Sequence, residues 1–178
     1  MSTALTASHP GVPDNERNRQ LLERLDAVIG DHESLYAAHP LAITIVMTDF
    51  FMEYLRNLNQ AFDGDMTLCI VLGEIGQANM RRFFHPAHMD GLPPAMADTQ
   101  TVATVAKGCN GLSVSMATGI PRETVRRKIA QLADMGLIEQ HPDGGWVATK
   151  QASQRFSPTF NRDLSLRLLQ TSRRILEL

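Results

Sequence analysis

The sequence predicts a mainly α-helical chain that carries one small β-hairpin. Two observations predict it. Apolar residues recur at spacings of three and four through most of the chain. Toward the C-terminal end, "LIEQH", "PDGG" and "WVATK" set two short β-prone runs around a turn of Pro, Asp and Gly. The 178 residues, 43% of them hydrophobic, suit one compact domain with an appendage and a sizeable core.

Residues 1–20 are rich in Ser, Thr, Pro and Asn and are expected to be mobile. They lack a basic start and an apolar core, so no secretory signal is expected. Residues 14–38 read as partly helical, ending before His39-Pro40. The strongest helical run covers 41–62. Ile43, Val46, Met47, Phe50, Tyr54, Leu58 and Ala61 form one apolar line, and Ile45, Phe51, Met52, Leu55 and Phe62 form a second. A helix that apolar needs burial on more than one side, and a second copy of the chain is the cheapest cover. Asp49, Glu53 and Arg56 inside it argue against a membrane span.

The sequence "DGD" at 63–65 stops this helix. Asp65 is a good N-cap for the next, 66–84, which carries Leu68, Leu72, Ile75 and Met80. Residues 21–109 therefore read as a helical support and dimerisation region. A loop at 85–109 is expected to hold one helix near 95–106.

Residues 110–150 carry the most information. A short helix at 112–118 offers Leu112, Val114 and either Met116 or Ala117 as inward candidates. Gly119 permits a sharp turn, and Pro121 opens a second helix running to about Met135. Val125, Ile129 and Leu132 are its apolar line, and Gly136 ends it. The hairpin follows. Two helices joined by a glycine turn and followed by a hairpin is the order of a winged helix-turn-helix. Residues 151–178 supply a C-terminal helix with Leu164, Leu168, Ser172 and Ile175 on one line, flanked by Leu169 and Leu176. It is expected to pack on something, most simply in a dimer.

The net charge of −2 hides an asymmetry: residues 1–100 carry −7 and residues 101–178 carry +5. A polarised chain fits a basic end that faces a partner. Within "GIPRETVRRK", four cations surround the single carboxylate of Glu123. A solvated basic helix face accounts for the cations, whereas a helix that reads base edges also has a use for the carboxylate.

Helix-turn-helix units need a small residue where the helices cross, a glycine four residues on and a branched apolar residue six later. Ser115, Gly119 and Val125 meet these needs. "RETVRRK" resembles the recognition helix of the catabolite activator (Crp/Fnr) transcription regulators, in which Arg-Glu-Thr-Val-x-Arg reads the major groove. The resemblance covers about 110–150 and implies base contacts for Arg122, Glu123 and Arg127. The family's usual Ser or Thr before the Arg is Pro121 here. The N-terminal half reads as helices rather than that family's β-roll, so no cyclic-nucleotide binding is carried over. Helices ahead of the motif, a wing and a C-terminal helix are more similar to the MarR-type regulators, which dimerise through their terminal helices.

The chemistry stands beside the resemblance. Arg122 and Arg127 can each give two donors to guanine, and Glu123 can accept from cytosine N4 or orient an arginine. Arg126 and Lys128 suit phosphates. Thr124 suits a phosphate or a thymine methyl group, and Lys150 and the tip at 143–145 suit the neighbouring backbone or minor groove, with no strong insertion expected because the tip has no arginine. The expected partners are double-stranded DNA and a second copy of the chain, with no membrane. The alternative is a winged helix that binds another protein and never reads DNA.

The Met- and Phe-rich stretch 43–84 reads as core or dimer interface, and also as a lining for a small-molecule effector of no stated class. Cys69 and Cys109 form neither a disulfide framework nor a CxxC pair, which fits a reducing, cytoplasmic setting. Cys69 reads as a buried thiol and Cys109 as part of an exposed loop. His85 and His88 lack a third ligand and read as surface residues. Asp63 and Asp65 are explained by capping, and Trp146 by packing the hairpin onto the helices. With no nucleophile elbow, phosphate loop or HExxH, no enzyme activity, cofactor or metal is expected.

Overall fold

Helices dominate the chain because its apolar residues fall at helical spacing almost everywhere. The computed structural model describes residues 16–81, 107–155 and 158–178. In chain order these form α1 (Glu16–Gly30), α2 (His32–Ala38), α3 (Pro40–Ala61), α4 (Met66–Met80), α5 (Gly111–Thr118), α6 (Arg122–Asp134), β1 (Ile138–Gln140), β2 (Trp146–Ala148), α7 (Lys150–Arg155) and α8 (Pro158–Leu176). The helix expected near 95–106 and the pair His85 and His88 lie outside the described residues. The chain divides into two compact units. One holds the described residues up to Arg56 together with Phe160–Leu178, and the other holds Asn57–Thr159.

In the first unit, α2 breaks at His39, and Pro40 opens α3 as its missing N–H allows. Ile43 and Val46 are buried, whereas Ile45, Met47, Phe51, Met52 and Leu55 are exposed. Of the two apolar lines, the second is therefore mostly left on the surface. Met47 also departs from its line, being exposed. On α8, Leu164, Ser172 and Ile175 are half-buried, and Leu168 and Leu169 point to solvent. Two ion pairs tie α8 to α3. Arg167 grips both oxygens of Glu53, at 3.1 and 2.7 Å, and Arg174 meets Asp49 at 3.2 Å.

The second unit has a continuous core. Val71, Leu72 and Ile75 of α4 are buried, as are Val114 of α5 and Val125, Ile129 and Leu132 of α6. Leu137, Ile138 and Val147 from the hairpin complete it. The strands pair antiparallel with Glu139 opposite Val147. The backbone of Cys109 pairs with Trp146 through two hydrogen bonds of 2.9 and 2.8 Å. Cys109 is thus buried, only 6% exposed, and not part of an exposed loop as its neighbour Lys107 suggested. Burial pushes its thiol pKa up. Gly108 and Gly145 allow this approach: a Cβ on Gly145 would stand 2.4 Å from the Gly108 carbonyl carbon.

Asn79 of α4 is the one buried polar side chain among the described residues. Its Nδ2 donates to the carbonyls of Lys107 at 2.7 Å and Trp146 at 3.0 Å, and its Oδ1 accepts from the Ala148 amide at 3.0 Å. A side chain on α4 thereby continues the ladder along β2 beyond Cys109. No single described helix is long and apolar enough to cross a membrane.

Candidate nucleic-acid interface

The candidate site is the N-terminal end of α6, and local chemistry sets how it is presented. Asn110 caps α5 by accepting from the Ser113 amide at 2.8 Å. At the other end of α5, Gly119 turns into the left-handed region with φ of 71°, and its amide bonds to the Ser115 carbonyl at 2.9 Å. The Ser115 hydroxyl donates to the Ile120 carbonyl at 2.7 Å, and Thr118 accepts from the Ile120 amide at 3.2 Å. The turn is thus stitched by side chains of α5. Only Val114 of the inward candidates is buried. Leu112 is exposed, and Met116 is 77% exposed. The helix packs against both α4 and α6, and Val114 is its one buried side chain.

Pro121 takes the position just before α6, with φ of −54° and ψ of 138°, and supplies no side-chain cap. Helical geometry begins at Arg122. Val125, Ile129 and Leu132 seat one face of α6 in the core. The opposite face therefore carries Glu123, Arg127 and Ala130, with Arg126 on its flank, while Arg122 stands exposed at the open end of the helix, seven residues ahead of Ile129. The helix ends at Gly136, φ 69°, where the Leu137 amide reaches back to the Leu132 carbonyl at 2.9 Å.

Among the described residues, the guanidinium groups of Arg122 and Arg127 make no hydrogen bond or ion pair, and both side chains are exposed. Arg126 differs. Its Nε and Nη2 hold both oxygens of Glu123, at 2.9 and 2.6 Å. The Arg126 hydrogen bond holds the Glu123 carboxyl below the usual range, with the charges of Arg126 and Arg127 adding to it. Glu123 also sits in the first turn, where the helix dipole favours a carboxylate. So the carboxylate orients an arginine in the free protein, one of the two uses expected for it.

Lys128 is paired inward in the free protein. Its ammonium turns away from the outer face to pair with Asp65, and it reaches Gln131 Oε1 at 3.2 Å. The lysine side chain is 14% exposed and the aspartate 27%. Asp65 meanwhile caps α4 by accepting from the Leu68 amide at 2.9 Å. Burial raises the Asp65 pKa, but the Lys128 and Leu68 hydrogen bonds and the charges of Lys128 and Arg127 outweigh it, and the carboxyl ends below its usual value. A phosphate role for Lys128 would first require breaking this pair. The helical spacing of the sequence carries no signal for it, because the partner lies 63 residues away.

The remaining candidates divide. Thr124 is half-buried, and Lys150 is exposed at the start of α7. The hairpin tip is acidic and pinned. Asp143 accepts from the amides of Gly145 at 2.9 Å and Gly108 at 3.1 Å and meets His141 at 3.0 Å. The Gly145 bond leads the causes that hold its carboxyl below the usual range. The segment 143–145 is Asp-Gly-Gly and carries no cation, and its carboxylate repels phosphate.

Between α6, the start of α5 and the hairpin lies a groove of about 510 Å3. Leu112, Ile129, Ala130 and Trp146 give it apolar walls, and Arg122, Glu123 and Arg126 form its polar side. Sequence reading did not find this groove, since its walls come from three elements. No protein-family model, curated protein or solved structure matches the chain.

Proposed function

We propose that the chain is a sequence-specific DNA-binding transcriptional regulator, a winged helix-turn-helix that acts as a homodimer. The observation that carries this is the N-terminal end of α6, where the exposed Arg122, Glu123, Arg126 and Arg127 crowd the first turn and a half behind a stitched glycine turn. Residues in that position enter the major groove first. Arg122 and Arg127 are the base readers. Glu123 holds Arg126 in the free protein and is released to a cytosine amine, or keeps Arg126 aimed, on the duplex. Lys150 contributes a backbone contact. The acidic tip keeps the hairpin from entering a groove, so reading rests on α6.

The dimer draws support from the apolar side chains that α3 and α8 leave exposed, Phe51, Leu55 and Leu169 among them. Two copies related by a twofold axis would favour a pseudo-palindromic site with half-sites about one helical turn apart.

The test is selection of bound duplexes from a random pool, with wild type and Arg127→Ala in parallel. A palindromic consensus is expected for wild type. Arg127→Ala should lose preference at one position per half-site, at about 1–3 kcal/mol. Failure to enrich any sequence at moderate salt would reject the assignment. The groove beside α6 favours a second reading, a winged helix that binds another protein, because Leu112 and Trp146 give it an apolar wall. That reading predicts no enrichment and no salt-dependent shift of genomic fragments.

A further inference from the structure

Resting on the DNA-binding reading above, we propose that Asp65 is a specificity-setting residue: it acts as an internal counter-charge that keeps Lys128 off the phosphate backbone. Three observations support it. Lys128 lies on α6 next to Arg127, and its ammonium also touches Gln131, whose side chain is exposed. The lysine therefore stands at the border between the buried and outer faces of α6, and once released from Asp65 its long side chain has the length to turn outward. Its partner, Asp65, is fixed by a separate task, since the same carboxylate caps α4 through the Leu68 amide. The pair is mostly withdrawn from water, so it is screened less than the exposed pair of Glu123 and Arg126.

The consequence is electrostatic. Each phosphate neutralised by a cation adds to affinity regardless of sequence, and steepens the fall of log K with log salt by about 0.9. A lysine held by an internal carboxylate adds nothing to that count. Binding then depends more on the base-reading arginines, and the ratio of specific to non-specific affinity rises. Asp65 supplies on the protein the anion that DNA would otherwise supply.

The test exploits the two jobs of Asp65. Asparagine caps a helix as well as aspartate does, so Asp65→Asn keeps the cap and removes the charge. Asp65→Ser serves as a second cap-retaining variant if the first melts early. The slope of log K against log salt is measured on random-sequence duplex and on the selected site. Asp65→Asn should steepen the slope on random duplex by about one and narrow the gap between random and selected DNA. Lys128→Met in the wild-type background should leave the slope unchanged, and Asp65→Asn with Lys128→Met should return to the wild-type slope. An unchanged slope in both capped variants, or a slope reduced by about one in Lys128→Met alone, overturns the proposal. Elution from a heparin column separates this from failure of the DNA reading. Wild type that selects no DNA removes the reading, while later elution of Asp65→Asn, reversed by Lys128→Met, still supports the counter-charge. Identical elution overturns it.

Discussion

Gly119 shows how one residue sets the presentation of the site. Its φ of 71° lies where side chains are strained, yet a Cβ there would meet nothing within 4 Å. Any cost of substitution is therefore backbone cost alone. Gly119→Ala should lose about 1–2 kcal/mol of stability, and Gly119→Asn less, because asparagine tolerates the left-handed region. Denaturant melts check this, and equal stability of the alanine variant and wild type would show that the turn relaxes without cost. Glu123 makes the complementary point. Counted in the sequence, a single carboxylate among four cations calls for a base. In the structure it has a local occupation, a two-point grip on Arg126 beside a helix N-terminus. Both uses are compatible, because the pair is exposed and its energy small.

The tie between α4 and α6 belongs to the scale of elements. Asp65 titrates below its usual value when folded, so its contribution to stability is present above the ordinary carboxylate value of about 3.9. That contribution is lost as pH falls through the lower, folded value. Asp65→Asn should accordingly lose less stability than wild type as pH falls below about 4. Denaturant midpoints at several acidic pH values measure it, and parallel curves would mean that the pair contributes nothing. Much at this scale was legible in the sequence. Gly119, Gly136 and the Pro-Asp-Gly turn mark boundaries by their own backbone preferences, and Asp65 as a cap is a local pattern. What escaped is non-local. Lys128 finds its partner beyond its own helix, Cys109 pairs with Trp146, and Leu112 and Met116 stay outside although α5 packs against both α4 and α6. Periodicity shows that a helix has an apolar line, and only packing shows which of its residues are covered.

At the scale of the whole molecule, the two units differ in how well they bury their own surface. The second holds a continuous core of fully buried aliphatic residues. The first leaves Ile45, Phe51, Met52 and Leu55 on α3, and Leu166, Leu168 and Leu169 on α8, open to solvent. Apolar surface of that kind calls for a cover, and a homodimer is the proposed one. Leu55 is 44% exposed, so Leu55→Glu should leave the fold of a single chain intact while disfavouring association. Light scattering is expected to give dimers for wild type and monomers for the variant. An unaltered dimer would place the interface elsewhere.

Asn79 gives the hairpin a clock. The amide of Ala148 is held by a side chain of α4 and not by a neighbouring strand. Its hydrogen can exchange with solvent only when α4 and β2 come apart, whether or not the rest of the unit opens. Exchange at Ala148 thus times one local event, the undocking of the hairpin. Asn79→Ala leaves buried groups unpaired and should cost about 1–3 kcal/mol. It should also speed deuterium uptake at Ala148 far more than at Leu132. Uniform acceleration of both would mean that the hairpin never leaves α4 without the whole unit unfolding.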